Sequence, residues 1–126
     1  MIFRLLADVV VLLHVAYILF VVLGALVVRF RPVVAWPHVA AVVWGVYVAA
    51  TDRVCPLTPL EIGLRVRAGQ VCYHGGFVAH YVLPVLYPAG LTPGILAAEA
   101  VFVVVVNLAL YSWVWRARAL SRAGAA

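Results

Sequence analysis

Apolar residues fill three long runs of the chain, at 5–28, 33–50 and 93–115. Each run holds about 18 to 24 residues, and about 20 helical residues cross a hydrocarbon core of roughly 30 Å. The first run is too long for the hydrophobic part of a signal peptide, which has about 7–15 residues. We therefore predict a retained transmembrane helix over each of the three ranges.

A fourth apolar run, at 77–88, is shorter and contains Pro84. About 12 helical residues rise only about 18 Å, and an interior proline removes a backbone hydrogen bond. The run is either a short, kinked span or a re-entrant segment, and we favour the kinked span. Together the four runs predict an all-α membrane protein, a single domain over 1–126 built as a four-helix transmembrane bundle.

The central segment 51–76 is the only long polar stretch. Within it, Thr58 and Glu61 have the spacing of a capping box, and Pro59 stands at the first helical position. These signals predict a short helix over 59–68 that lies in the membrane interface, with its arginines in water.

Composition supports the membrane assignment. Hydrophobic residues make up 68% of the chain, charged residues make up 10%, and the mean hydropathy is +1.18. An average soluble domain is about 45–50% apolar and about 25% charged, so an ordinary soluble domain and a disordered chain are excluded. The net charge of +5 comes from arginines that flank the apolar runs and form no patch. We therefore expect a lipid bilayer as partner and no nucleic acid.

The arginines also predict an orientation. Four spans would place the N-terminus, the central loop and the C-terminus on one side, and Arg29 and Arg31 on the other. The first side would hold seven arginines, which are Arg4, Arg53, Arg65, Arg67, Arg116, Arg118 and Arg122. By the positive-inside rule this predicts an N-in and C-in topology. The absence of lysine is typical of a GC-rich bacterial genome, and so we expect the bacterial inner membrane.

Five ionisable side chains fall inside the predicted spans, where each costs roughly 2.5–3.5 kcal/mol and is a functional candidate by default. Helix rise sorts them into two layers. The inner layer is the polar pair Asp8 and His80, near Asn107, and the middle-to-outer layer is His14, His38 and Glu99.

These side chains support several kinds of chemistry. Two of the three histidines, on neighbouring helices, could hold haem b as axial ligands. A transition metal could bind His14 and His38 with Glu99, because imidazole and carboxylate are metal ligands. The same groups could relay protons or serve a quinone. They could also simply form hydrogen bonds between helices, at roughly 0.6 kcal/mol each.

Small residues at Ala41, Gly45 and Ala49 share a helix face with His38. Such stripes mark the contact faces of membrane helices. The stripe predicts that His38 points into the bundle.

Two cysteines, Cys55 and Cys72, lie in the polar segment. They form a possible thiol pair, which would be a disulfide in the periplasm, whereas the predicted orientation favours free thiols in the cytoplasm. A zinc site that adds His74 and His80 is conceivable, but the sequence lacks the paired short spacing of known zinc sites.

No catalytic template is present, because the chain has no G-x-S-x-G, H-E-x-x-H or P-loop. Whether the protein is an enzyme stays open. The first functional prediction is binding of haem or a metal ion through inward histidines, with a part in electron or proton transfer. One alternative is a non-catalytic accessory subunit that packs through its small-residue faces against a larger membrane complex, or a homo-oligomer. Another is a lipid- or quinone-binding membrane protein.

A set of short motifs spread over nearly the whole chain resembles a bacterial membrane family. They are Arg4-Leu5-Leu6-Ala7-Asp8, His14, Trp44-Gly45, Cys55-Pro56-Leu57-Thr58-Pro59-Leu60-Glu61, Gly75-Gly76-Phe77, His80-Tyr81 and Tyr87-Pro88-Ala89-Gly90-Leu91-Thr92. The family is catalogued as a domain of unknown function, number twenty-seven eighty-four.

The resemblance implies a small four-helix inner-membrane protein, and it implies no activity. The family pattern includes the loop motif of Cys55, Pro56, Thr58 and Glu61, together with Asp8, His14, His38 and His80. By contrast, Cys72, His74 and Glu99 are particular to this sequence.

Overall fold

The chain is helical over almost all of the part that the structure describes. That part, in a computed structural model, is residues 1–51, 53–70, 81 and 93–124. Helix α1 covers Ile2–Phe30, α2 covers Ala35–Ala50, α3 covers Leu57–Arg67 and α4 covers Pro93–Ala123. No strand occurs among these residues, so the prediction of an all-α fold is confirmed.

Three stretches are long and apolar enough to cross a membrane. They are Ile2–Phe30, Pro32–Ala50 and Ala97–Ala123. Helix α4 continues about two turns beyond the predicted range 93–115, because the residues that follow are mostly alanine, arginine and leucine, which favour helix. The predicted short span at 77–88 lies outside the described residues.

A tight turn joins α1 to α2. Arg31 is extended, with φ −131° and ψ 91°, because a residue before proline is kept out of the helical region. Pro32–Val34 then forms one 3₁₀ turn that leads into α2. Short connections of this kind make neighbouring helices antiparallel.

The small-residue face of α2 meets α1, as the stripe predicts. The Tyr17 hydroxyl donates to the carbonyl of Ala41 at 2.8 Å. At Gly45, an added Cβ would stand 3.3 Å from the Tyr17 oxygen. His38 shares this face and is completely buried. The stripe is therefore used within the chain.

Helix α4 runs parallel to α1. Asn107 Nδ2 donates to the Val21 carbonyl at 2.9 Å. Further along both helices, Arg118 Nη2 donates to the carbonyls of Val28 and Arg29. Later residues of α4 therefore contact later residues of α1. The two helices run in the same direction and end on the same side of the bundle.

This direction differs from the one that the predicted N-in and C-in topology assumes, and the side of each terminus stays a prediction. Met1 and the end of α4 lie at opposite ends of the bundle, whereas four alternating spans would have brought both termini to one side. We call the end that holds the start of α1 the amino end, and the opposite end the carboxyl end. The amino end holds Arg4, Arg53, Arg65 and Arg67, and the carboxyl end holds Arg29, Arg31, Arg116, Arg118 and Arg122. The predicted division of seven arginines against two thus becomes four against five.

The short helix α3 lies along the N-terminal half of α1. Arg65 is near Asp8, and the Arg67 guanidinium lies 6.0 Å from the centroid of the Phe3 ring. Because later residues of α3 contact earlier residues of α1, the two helices are antiparallel. Their contact face on α1 includes the fully buried Ala7.

The start of α3 differs from the predicted capping box. The helix begins at Leu57, after Pro56, and no side chain caps it. Thr58 and Glu61 are instead completely buried. Both share a face with Arg65, at the i, i+3 and i+7 spacing of one helix side, and this face packs on α1. Arg65 was predicted to reach water, and this too is corrected, since only 15% of its side chain is exposed.

Candidate functional site

Glu61 is the centre of a polar cluster between α1 and α3. Its side chain is 0% exposed, and its Oε1 accepts a hydrogen bond of 2.8 Å from Arg65 Nε. The two residues are four apart on one helix, a spacing that brings side chains together. Arg65 Nη2 also lies 3.7 Å from Asp8 Oδ1 on α1. Two carboxylates therefore share one guanidinium in what we call the Asp8–Glu61–Arg65 cluster.

Two further side chains complete the contacts of Arg65. The Tyr81 hydroxyl donates to Glu61 Oε1 at 3.0 Å and accepts from Arg65 Nη2 at 3.2 Å. Gln70 Oε1 accepts from Arg65 Nη1 at 3.2 Å. The hydrogen bond to Glu61 is the main cause that raises the pKa of Arg65 above its ordinary value, and partial burial opposes it. The guanidinium therefore stays charged at every working pH.

The cluster reaches from the surface of the bundle into its interior. The Asp8 side chain is 56% exposed, whereas Glu61 has no exposure. Behind them on α1 is the buried His14, on which the negative charge of Glu61 acts. The Tyr17 ring follows, with its centroid 6.4 Å from that of His14. An exposed carboxylate, a buried carboxylate and a buried imidazole thus follow one another from the surface to the interior.

His38 lies in a second polar contact near the carboxyl end. Its Nδ1 is 2.7 Å from the Tyr111 hydroxyl of α4, and Phe20 packs edge-on against its ring with centroids 5.2 Å apart. Gly24 leaves the space that the ring fills. The Nε2 atom is buried and makes no hydrogen bond within the described residues, although the carbonyl of Val21 is close by.

The predicted haem or metal ligands do not come together. His38 is level with Gly24, and the ten residues from His14 to Gly24 span about 15 Å of helix axis. Two ligands of one metal ion each approach it to about 2 Å, so His14 and His38 do not fit a shared haem iron or metal ion. Glu99 is half-buried on α4 and, in the described part of the chain, forms no ion pair or hydrogen bond. No group of three His, Cys, Asp or Glu side chains among the described residues could hold a metal ion.

Other predicted site residues fall partly outside the described ranges. His80 and Cys72 lie there, and so the inner pair with Asp8 and the thiol pair with Cys55 stay predictions. Cys55 itself is half-buried just before α3, and its carbonyl accepts from the Thr58 amide at 2.9 Å. Thr58 Oγ1 is buried and finds no hydrogen-bond partner within the described residues.

Sequence reasoning missed two members of the site, Arg65 and Tyr81. The signal for Arg65 was its position four residues after Glu61, which favours an ion pair on one helix face. Tyr81 stands in the His80-Tyr81 motif, in which histidine is the more common ligand and proton carrier. Tyr111 was also missed, because an aromatic residue near the end of an apolar helix is typical of an interfacial belt.

Comparison with known proteins agrees with the resemblance seen in the motifs. Neither a curated protein nor a solved structure matches the chain. One family model matches residues 4–112, which contain all three members of the Asp8–Glu61–Arg65 cluster as well as His14, His38 and Tyr111. The chain belongs to the family DUF2784, whose description is a protein of unknown function.

Proposed function

We propose that this protein takes up and releases one proton at the buried Glu61 carboxyl, and that it serves a proton-transfer step at the membrane. The observation that carries the proposal is the sharing of Arg65 by two carboxylates, one buried and one exposed at the surface of the bundle. This function keeps the proton-transfer part of the sequence-based prediction and omits haem and metal.

Charge within the cluster supports the proposal. Glu61 and Asp8 bring two negative charges, and Arg65 brings one positive charge. A buried carboxylate is expensive unless it is fully compensated. One proton, held on a carboxyl or on the neighbouring His14, balances the cluster. The hydrogen bonds from Arg65 and Tyr81 keep the carboxyl in place in either state.

Exposure supplies the direction of transfer. Asp8 is more than half exposed at the surface of the bundle and lies across the guanidinium from Glu61. Proton relays in membrane proteins are built from chains of aspartate, glutamate and histidine. In this protein the proton enters at Asp8, Glu61 is its buried acceptor, and His14 is the next group inward.

Infrared spectroscopy of the purified protein in lipid nanodiscs, recorded at stepped pH, tests the proposal. We expect the absorption band of a protonated carboxyl group to grow as the pH falls. Glu61→Gln should remove the component of this band that belongs to Glu61, because it removes the titrating group. Glu99→Gln is the matched control, since Glu99 is a half-buried carboxyl outside the cluster, and it should remove only its own component and leave that of Glu61 in place.

The role of Asp8 has its own readout. Asp8→Asn should slow hydrogen–deuterium exchange of the Glu61 band without removing it, because the entry point of the proton is lost while the Glu61 carboxyl remains. A band that is unchanged in Glu61→Gln would overturn the proposal. So would a carboxylate that stays ionised over the whole pH range, because the cluster would then be a permanent ion pair that only holds α3 on α1.

The predicted alternative, an accessory subunit, rested on the small-residue stripe of α2. That stripe contacts Tyr17 and Val21 of α1. An accessory role would therefore have to use other surfaces, and the cluster supports proton transfer better.

A further inference from the structure

The arginines of the bundle are almost evenly divided between its two ends. Four lie at the amino end and five at the carboxyl end, and the parallel direction of α1 and α4 produces this division. The excess of Lys and Arg in short flanking segments is what fixes the orientation of a membrane protein. A four-to-five division gives almost no such excess.

We infer that the chain inserts in both orientations, and that two oppositely inserted copies pair through the outer face of α2. This inference is independent of the proposed proton transfer, because it rests on the distribution of charge and on a different helix. The partner is a second, inverted copy of the same chain.

No residue in the described part of the same chain covers the outer face of α2. Five of its exposed residues recur at helical spacing and form one stripe, which we call the α2 stripe: Trp36, Val39, Val43, Tyr47 and Ala50. Trp36 is 83% exposed and Val43 is 63% exposed. On α2 only His38 is buried. Beside the α2 stripe, Val39 and Val43 also line an open, apolar groove against α4, which a neighbouring side chain can enter.

Charge complementarity selects the inverted copy over a parallel one. The carboxyl end holds five arginines and, within the described residues, no acidic residue, whereas Asp8 and Glu61 offset part of the charge of the four arginines at the amino end. A parallel pair would place two carboxyl ends side by side, with ten like charges. An inverted pair places each carboxyl end beside the less positive amino end of the other copy, so the repulsion between the copies is smaller. Repulsion between like charges of this kind suppresses the parallel pairing.

Full overlap of the two α2 stripes sets which residues meet. With this overlap the two-fold axis of an inverted pair crosses α2 at Val43, the middle of the stripe. Trp36 and Ala50 lie seven residues to either side, each about 10 Å along the axis. In an inverted pair Trp36 of one copy is therefore level with Ala50 of the other. In a parallel pair Trp36 is level with Trp36.

Cysteine labelling in cells tests the double orientation. In a background with Cys55→Ser and Cys72→Ser, Ser121→Cys marks the carboxyl end. A membrane-impermeant maleimide should label about half of the protein in intact cells, and all of it after permeabilisation. Adding Arg116→Gln and Arg122→Gln should raise external labelling towards completeness, because the amino end then carries more arginines and stays inside. Adding Arg4→Gln and Arg53→Gln should abolish it.

Cross-linking in the same cysteine-free background tests the pairing. Co-expressed Trp36→Cys and Ala50→Cys chains should form a dimer on oxidation, and Val43→Cys should cross-link to itself. Trp36→Cys alone should not. Self-cross-linking of Trp36→Cys would show a parallel pair and overturn the inference. With the arginines unchanged, complete labelling or no labelling of Ser121→Cys would overturn it as well. Mixed labelling without the Trp36–Ala50 cross-link would also overturn it.

Discussion

At the scale of single residues, the missing side chain of Gly24 sets how closely α1 and α2 approach. A Cβ at this position would stand 2.8 Å from His38 Nε2 and closer still to Cδ2. The His38 ring also contacts Tyr111 and Phe20, so it has little room to move. We expect Gly24→Ala to lower the free energy of unfolding in detergent by about 1–3 kcal/mol, the usual cost of overpacking.

Gly63 provides the matched control for that substitution. It lies inside α3, and a Cβ there would meet nothing within 4 Å. Gly63→Ala should raise the free energy of unfolding by about 0.5–1 kcal/mol, because alanine favours helix over glycine. Equal effects of the two substitutions would contradict the close contact between Gly24 and His38.

Thr58 allows a second test at this scale. If its hydroxyl capped α3, Thr58→Val would cost about 1 kcal/mol. In the structure the hydroxyl is buried and finds no hydrogen-bond partner among the described residues, and such a group is itself destabilising by about 1–3 kcal/mol. We therefore expect Thr58→Val to leave thermal stability unchanged or to raise it. A clear loss in a melting experiment would restore the capping role.

At the scale of the helices, one guanidinium holds α3 on α1. Removing Arg65 would leave Glu61 buried without its cation, and breaking a buried ion pair in this way costs about 3–5 kcal/mol. We expect Arg65→Gln to destabilise the protein by roughly that amount in an unfolding titration. Limited proteolysis should then find cleavage in α3.

Arg67 is the control for Arg65, because it is on the same helix but exposed. Its contact with the Phe3 ring is loose, and Arg67→Gln should cost less than about 1 kcal/mol. The double variant Glu61→Gln with Arg65→Gln should recover much of the loss, because it leaves no buried charge. If the double variant were as unstable as Arg65→Gln alone, the loss would come from packing and not from charge.

The helices were predictable from the sequence, and their contacts were not. Apolar runs of the right length fix α1, α2 and α4, because a bilayer leaves few other options for such segments. Arg65 is different, since a glutamate and an arginine four apart pair equally well in water or against another helix. Its burial depends on α1, which is distant in sequence.

The burial of His38 was predictable, because small residues mark one face of α2. Its partner Tyr111 was not, because the side of α4 that faces α2 depends on the direction of α4. That direction depends on the number of crossings before it, which hydrophobic periodicity does not record.

At the scale of the whole molecule, the parallel direction of α1 and α4 makes a direct prediction. The Arg29 guanidinium lies 4.9 Å from the centroid of the Trp113 ring. In the cysteine-free background, Arg29→Cys with Trp113→Cys should cross-link within one chain through a short bifunctional maleimide. Arg4→Cys with Trp113→Cys should not, because these positions lie at opposite ends. The reverse result would restore the alternating four-span arrangement.

The hydrogen bonds from Arg118 to the end of α1 can form only late in synthesis. The last carbonyls of a helix have no partner within it, and those of Val28 and Arg29 are met by a residue made 90 positions later. At about 5–20 residues per second, the ribosome takes roughly 5 to 18 seconds to reach that residue. Throughout this interval the end of the first helix depends on water or lipid headgroups, and the last helix to be synthesised is the one that completes the first.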